Sequence, residues 1–368
     1  SAYDIGFGLS TNRSFPSSKG RIMLNERHLG KVIVLVLLWL LILPWILDFA
    51  GSSYLISTAA RIVIFAIAAI SLDLLIGYTG LVSFGHAAFL GVGAYVVGIL
   101  SFHAYEETTF LGLTGTLSGL VAIPLAVAMS ALVALLIGAL SLRTKGVYFI
   151  MITLSFGQML FFLFVSLEPY GGDDGMMMFE GRNTLPLIDL NARFTFYYFC
   201  LACLVLFYGF CQLLTRSKFG RTLKAIRQNE ARLSSIGIQP YTAKLLIFVI
   251  AGAGTGLAGA LMANHTEFVS PSLTHWTKSG DLMIVVILGG TGTLLGPVLG
   301  TFAFLLLEEF LPVFFDMLGL DMMKEHWRFV FGPILILIVL YAKTGIYGMI
   351  FDKDAKDGGQ DATDQKSL

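Results

Sequence analysis

The sequence predicts an all-α protein, a polytopic membrane helical bundle of about 8–10 transmembrane segments with Gly-interrupted broken helices. Three observations predict it. Of 368 residues, 56% are hydrophobic and 13% charged, half the roughly 25% charged fraction of soluble domains. Most of the chain falls into apolar runs close to the roughly 20 residues that a spanning helix needs. Finally, 18 of the 24 Lys and Arg residues fall in alternate connections, the asymmetry that sets membrane orientation. The formal net charge is zero, so no nucleic-acid partner is expected.

Taken in order, residues 1–31 read as a cytoplasmic N-terminal arm, too polar and mixed to be a secretory signal. Apolar segments follow at 32–47, 54–76, 82–102, 117–140, 147–167, 194–214 and 244–263. Cys200, Cys203 and Cys211 share one of these runs, without His or acidic neighbours, and read as small buried hydrophobes. The run 281–310 is too long for one ordinary span. Gly289-Gly290-Thr291-Gly292 and Gly296-Pro297 divide it into two segments, joined by irregular backbone that protein or water must cover. A last segment spans 328–350, ahead of a charged, flexible cytoplasmic tail at 351–368.

The basic residues concentrate in the N-terminal arm, at Arg143 and Lys145, in the loop 215–244 and at the C-terminal end. Both termini are therefore expected in the cytoplasm, with ten crossings if 281–310 crosses twice. Arg61 lies near a helix end and can snorkel, while Glu308 and Glu309 fall at an external helix end and read as solvated.

Two breaks echo one another. Gly77-Tyr78-Thr79-Gly80 is followed by Gly85, as Gly289-Gly290-Thr291-Gly292 is by Gly296. Paired Gly-interrupted segments point to a translocation region, which makes Thr79, Ser83, Thr291 and Thr293 pathway candidates. Asp73 and His86 flank the first break, where a charge costs about 2.5–3.5 kcal/mol on insertion scales. His86 lines the path or hydrogen-bonds a neighbouring helix. Asp73 orients the break or caps backbone donors freed there. Gln158 either bonds across helices or lines the path.

The loop 215–244 holds a stretch, 221–235, free of Pro and Gly and rich in helix formers, with Leu223, Ile226, Glu230 and Leu233 at helical spacing. It reads as one amphipathic helix stopped by Gly237. A merely basic loop would satisfy the positive-inside rule and touch lipid headgroups. An ordered apolar face suits docking in a partner's groove. The sequence has no Gly-x-x-x-x-Gly-Lys-Ser/Thr phosphate loop and no evident catalytic constellation, so neither an ATPase nor a membrane enzyme is expected.

These motifs together resemble the permease subunits of bacterial ABC importers for branched-chain amino acids, the branched-chain amino acid/urea permease family. The matches are Gly77 through Phe89, Tyr148-Phe149, Thr153 through Met159, Gly171-Gly172-Asp173-Asp174-Gly175, and Gly289 through Gly300. They run in order across about residues 58–345, so their joint arrangement is specific. The resemblance makes 32–350 a permease domain in a bacterial cytoplasmic (inner) membrane. It also makes Arg221, Lys224, Ile226, Arg227, Asn229, Glu230 and Gly237 its ATPase-coupling segment. Here Ala231, Arg232 and Leu233 stand where the family's coupling motif has Glu-Ala-Ala before Gly.

The resemblance further implies a second, related permease, two ATP-binding subunits that hydrolyse the ATP, and an extracytoplasmic binding protein on the loops 103–116, 168–193 and 264–280. No cofactor bound by this chain is implied. The implied cargo is a branched-chain or other hydrophobic amino acid. The competing reading is a stand-alone secondary transporter or channel for a small polar solute such as urea or an amide, with Asp73 and His86 as a proton or ion relay.

Overall fold

The computed structural model describes residues 26–49, 53–110, 113–186, 188–319, 326, 329–333, 336 and 345–351. Most of both terminal arms and of the 328–350 segment lies outside the described residues, while residues 26–31 of the expected arm belong to the first helix.

The chain is a helical bundle in the order α1 (Glu26–Phe49), α2 (Ser53–Thr79), α3 (His86–Tyr105), α4 (Gly119–Ser141), α5 (Val147–Val165), α6 (Arg193–Arg216), α7 (Lys218–Gln228), α8 (Glu230–Ser235), α9 (Pro240–Thr266), α10 (Trp276–Gly289), α11 (Leu295–Met317) and α12 (Gly345–Phe351). Among the described residues seven helices are long and apolar enough to cross a membrane, and Val34–Phe49 of α1 is a shorter apolar helix. Strand is confined to two-residue pieces: β1 (Thr109–Phe110) pairs with β2 (Leu113–Thr114), and β3 (Met176–Met177) with β4 (Phe268–Val269).

Helices α2, α3 and α9 form the centre. Nearly all of α2 is buried, from Ile56 to Tyr78, and α9 packs on α2, α3 and α4. The close approach needs glycine: a Cβ on Gly93 would overlap the Gly256 carbonyl, and one on Gly259 the Leu90 carbonyl. Small residues let membrane helices meet through their backbones, where dispersion and weak hydrogen bonds act at short range. By contrast α4, α5 and α6 leave large apolar faces uncovered, including Leu136, Phe162 and Leu213. Uncovered apolar helix faces are what a bilayer solvates.

The 281–310 run is divided as its glycines require. The 14-residue α10 ends at Gly289, irregular backbone follows, and α11 starts at Leu295. At about 1.5 Å rise per residue, α10 reaches only two-thirds of the way across a roughly 30 Å hydrocarbon core.

One expectation is corrected at the far end of α11. Glu308 and Glu309 are not simply solvated: Arg61 Nη2 pairs with Glu308 Oε2 at 3.3 Å, and the Tyr54 hydroxyl donates to Glu309. Sequence separations of 247 and 255 residues hide both contacts from local reading.

Candidate functional site

The two Gly breaks meet. Helix α2 stops because Gly80 takes a left-handed φ of 75°, and the amides of Gly80 and Leu81 turn back onto the Ile76 and Leu75 carbonyls. Two turns earlier, the buried Asp73 carboxylate reaches out of α2 and accepts the Gly292 N–H at 2.8 Å. It therefore satisfies a donor of the second break, more than 200 positions away, and not one freed at its own. Gly77 sits at the crossing, where a Cβ would overlap both the Asp73 carboxylate and the Gly292 backbone. Gly292 has φ of 82°, a conformation that costs a residue with a Cβ about 1 kcal/mol or more.

Beside Gly292, Thr293 donates its hydroxyl proton to the Gly290 carbonyl at 2.9 Å and accepts the Gly296 N–H at 3.2 Å. Thr293 thus caps the start of α11 and offers its hydroxyl to the backbone first. Its neighbour Thr291 is exposed.

Helix α7 clamps this crossing from outside the bundle. An Nη1 proton of Arg227 goes to the Gly77 carbonyl, left free where α2 unwinds, and the Lys224 ammonium lies 5.3 Å from the Tyr78 ring centroid. Ser217 caps α7, accepting the Gly220 N–H at 3.3 Å. Gly237 has φ of 83°, and the Ile238 N–H reaching Leu233 and the Gly237 N–H reaching Ser234 close α8 in a Schellman motif, as the sequence predicts.

Two expectations for this loop are corrected. The single helix over 221–235 is broken at Asn229, whose extended backbone and side-chain oxygen, accepting the Arg232 N–H at 3.0 Å, start a second helix. Asn is a strong N-cap, and Glu230 adds a favourable charge in the first turn. Moreover Leu223, Ile226 and Leu233 are buried within this chain. The apolar face is spent on the bundle, so Ile226 anchors the segment and is not offered to a partner. The exposed residues include Arg221, Lys224, Arg227, Gln228, Ala231, Arg232 and the knob of Ile236 and Ile238.

Glu230 fastens the loop to the start of α9 and to the α4–α5 connection, accepting from Lys244 at 2.9 Å and pairing with Lys145 at 3.6 Å. Partial burial works against its charge. The Lys244 bond and the two ammonium charges outweigh it and hold the carboxyl below its ordinary range.

The remaining pathway candidates do not gather into one cluster. Thr79 returns its hydroxyl proton to the Leu75 carbonyl at 2.7 Å. His86 is fully buried at the start of α3, with Nε2 2.6 Å from Thr255 Oγ1 on α9 and its ring edge-on to Phe89. Thr255 Oγ1 also donates to the Ala251 carbonyl at 3.0 Å, which leaves it to accept from the His86 Nε2–H. Among the described residues, Ser83 Oγ, His86 Nδ1, Asp73 Oδ2 and Gln158 Nε2 are buried with no hydrogen-bond partner. Gln158 thus makes no cross-helix bond through its amide nitrogen. Ser279 on α10 completes the α3 start by accepting the Ala87 N–H at 2.9 Å. A serine in a mixed polar stretch carries no signal of that role.

With this geometry in place, comparison with known proteins is informative. Residues 54–339 match the family described as branched-chain amino acid transport system / permease component. The high-affinity branched-chain amino acid transport system permease protein LivM of Escherichia coli K12 is 26% identical over 357 residues, covering 91% of this chain and 77% of that protein. A probable LivM of Methanocaldococcus jannaschii is 25% identical over 316 residues, 77% of this chain and 90% of that one. A shorter match, 31% over 137 residues, links about a third of each chain to the E. coli xylose transport system permease protein XylH. No solved structure matches.

Proposed function

The chain belongs to the permease-component family of branched-chain amino acid transport systems, and we propose that it is the membrane-spanning permease subunit of an ABC importer in a bacterial inner membrane. Its cargo is a branched-chain or other hydrophobic amino acid. Its partners are a second, related permease, two ATP-binding subunits that hydrolyse the ATP, and an extracytoplasmic binding protein.

The observation that carries this reading is the clamp of Arg227 on the unwound Gly77 carbonyl. A loop that only obeyed the positive-inside rule would place its charges in headgroups and water. Here one guanidinium stands at the crossing of both breaks, within reach of Gly292 and with Asp73 beneath it. An ATPase that grips Arg221, Gln228 and Arg232 can displace α7. Because Arg227 and Lys224 hold Gly77 and Tyr78, that displacement reaches the ends of α2 and α10 together. Irregular backbone between helices is the part that yields, since it has fewer intrahelical bonds to break.

A stand-alone carrier with an Asp73–His86 relay is less well supported. Asp73 is bonded to the second break and His86 to α9, so the two groups serve different junctions.

The test is ATP-driven uptake of radiolabelled leucine by proteoliposomes that hold the chain with its sister permease, ATPases and binding protein. Uptake that needs every partner, and collapses when Arg227 and Glu230 are both changed to Ala in an intact complex, is expected. Proton-driven uptake by this chain alone, indifferent to that double change, would contradict the reading.

A further inference from the structure

At the opposite end of α2 from the clamp lies a cavity of about 580 Å³, between α5, the 3-10 turn Pro271–Thr274, α10 and α11. That volume is within the range of small-molecule pockets, about 300–1,000 Å³. We propose that this cavity is a binding site for a free aliphatic α-amino acid, its charged head held by Lys278 and Asp281 and its side chain by Phe161, Ile284 and Phe304. The proposal rests on the amino-acid importer reading and gives it a place in this chain.

The lining divides by chemistry. Phe161 of α5, Ile284 of α10 and Phe304 of α11 bring apolar groups to the wall, and Phe331, which packs edge-on to Phe304 at 5.1 Å, extends it. In the first two turns of α10, Lys278 Nζ and Asp281 Oδ2 stand 3.6 Å apart, their side chains 34% and 39% exposed. Charge-assisted N–H···O bonds are shorter, about 2.7–2.9 Å. The pair is therefore loose and wet, so a zwitterion can take the place of its solvent: the α-carboxylate on Lys278, the α-ammonium on Asp281.

The other lining carboxylates differ in state. Glu308 is already committed to Arg61 at 3.3 Å. Asp173, exposed, adds a further carboxylate to the lining. His275 is held by Thr277 at 3.0 Å and packs edge-on to Phe161, which makes it part of the wall. With Lys278 and Asp281 as a loose charge pair, Asp173 in the lining and an apolar wall, the cavity offers partners for both a carboxylate and an ammonium, which neither an amine nor a carboxylic acid alone uses in full. It fits a molecule that carries both charges on one carbon with a hydrocarbon branch.

The position is consistent with transport. Lys278 lies near the start of α10, and Gly289, at the crossing, is its last residue. Those 11 residues span about 16 Å of rigid helix. A ligand drawn onto Lys278 and Asp281 thus bears on the same half-helix that the clamp holds at its other end.

The test uses the full complex in lipid nanodiscs without binding protein, with radiolabelled L-leucine as the probe. Saturable binding is expected, displaced by isoleucine and valine and not by isovalerate or isoamylamine at the same concentration. Asp281→Asn and Lys278→Met should each weaken it about tenfold or more, the usual consequence of removing one member of a charge pair at a ligand. Ile284→Ala, which widens the wall, should raise phenylalanine affinity relative to leucine, a change that a loss of folding does not produce. Wild-type complex that imports leucine with ATP, yet binds it equally with and without these charges and keeps its preference in Ile284→Ala, would overturn the site and leave the importer reading standing. Wild-type complex that imports no amino acid would overturn both.

Discussion

At its Tyr54 end α2 meets α11 through side chains, Arg61 on Glu308 and Tyr54 on Glu309, with the Arg61 and Glu308 side chains 29% and 23% exposed. At its Thr79 end it meets the α10–α11 connection through backbone, the Gly292 N–H on Asp73 and the Gly77 carbonyl under Arg227, and Asp73 is fully buried. The first end is wet, and its partners can be exchanged for solvent or ligand at small cost. The second is closed, and losing either partner strands a buried polar group, a penalty of about 1–3 kcal/mol or more for a charged one. The wet end suits binding, and the closed end suits transmission of movement.

The largest effect that would break this contrast comes from the crossing itself. Gly77→Ala places a methyl group inside the Asp73 carboxylate and the Gly292 backbone, and overpacking of this kind costs about 1–3 kcal/mol. Thermal unfolding of the assembled complex in detergent should show a clear drop, and leucine uptake should be lost. Next, Asp73→Ala leaves the Gly292 N–H without its acceptor and should cost about 1–3 kcal/mol. Asp73→Asn, which keeps an acceptor oxygen, should recover most of that in the same assay.

At the wet end, a double-mutant cycle on Arg61 and Glu308 should give under about 1 kcal/mol of coupling, as partly exposed ion pairs do. A value as large as the Asp73 effect would erase the contrast. The smallest effect concerns pH. Because Glu230 has its carboxyl held down in the folded chain, its hold on Lys244 and Lys145 is present above the ordinary carboxylate range and is lost as pH falls through the lowered value. Acidification should therefore narrow the stability gap between wild type and Glu230→Gln, and a gap that widens at low pH would contradict the assignment.

How far the molecule was legible follows the same division. Spanning helices are written locally, as apolar runs bounded by Gly, Pro and charge, and segments such as 54–76 and 147–167 match α2 and α5 within a few residues. The division of 281–310 was legible because glycines cannot sustain a helix there. Asn229 was not, since it lies among good helix formers and its capping role depends on backbone geometry; Asn followed by an acidic residue was the available signal. The Asp73–Gly292 and Arg227–Gly77 contacts join positions 219 and 150 apart, and nothing in the neighbourhood of either residue names its partner. The amphipathic pattern of α7 was visible, but its direction was not: periodicity identifies an apolar face without saying whether the chain's own bundle or another subunit covers it.

The central claim is that α7 and the Gly crossing move as one body when the ATPases close. It is tested most directly by electron spin-label distances between Gln228→Cys on α7 and Thr291→Cys in the second break, both exposed, with Cys200, Cys203 and Cys211 replaced. The account predicts that ATP trapping leaves this distance unchanged while Arg227 is present, and lengthens or broadens it in Arg227→Ala. If the distance changes on ATP binding to the same extent with and without Arg227, the clamp does not carry the movement.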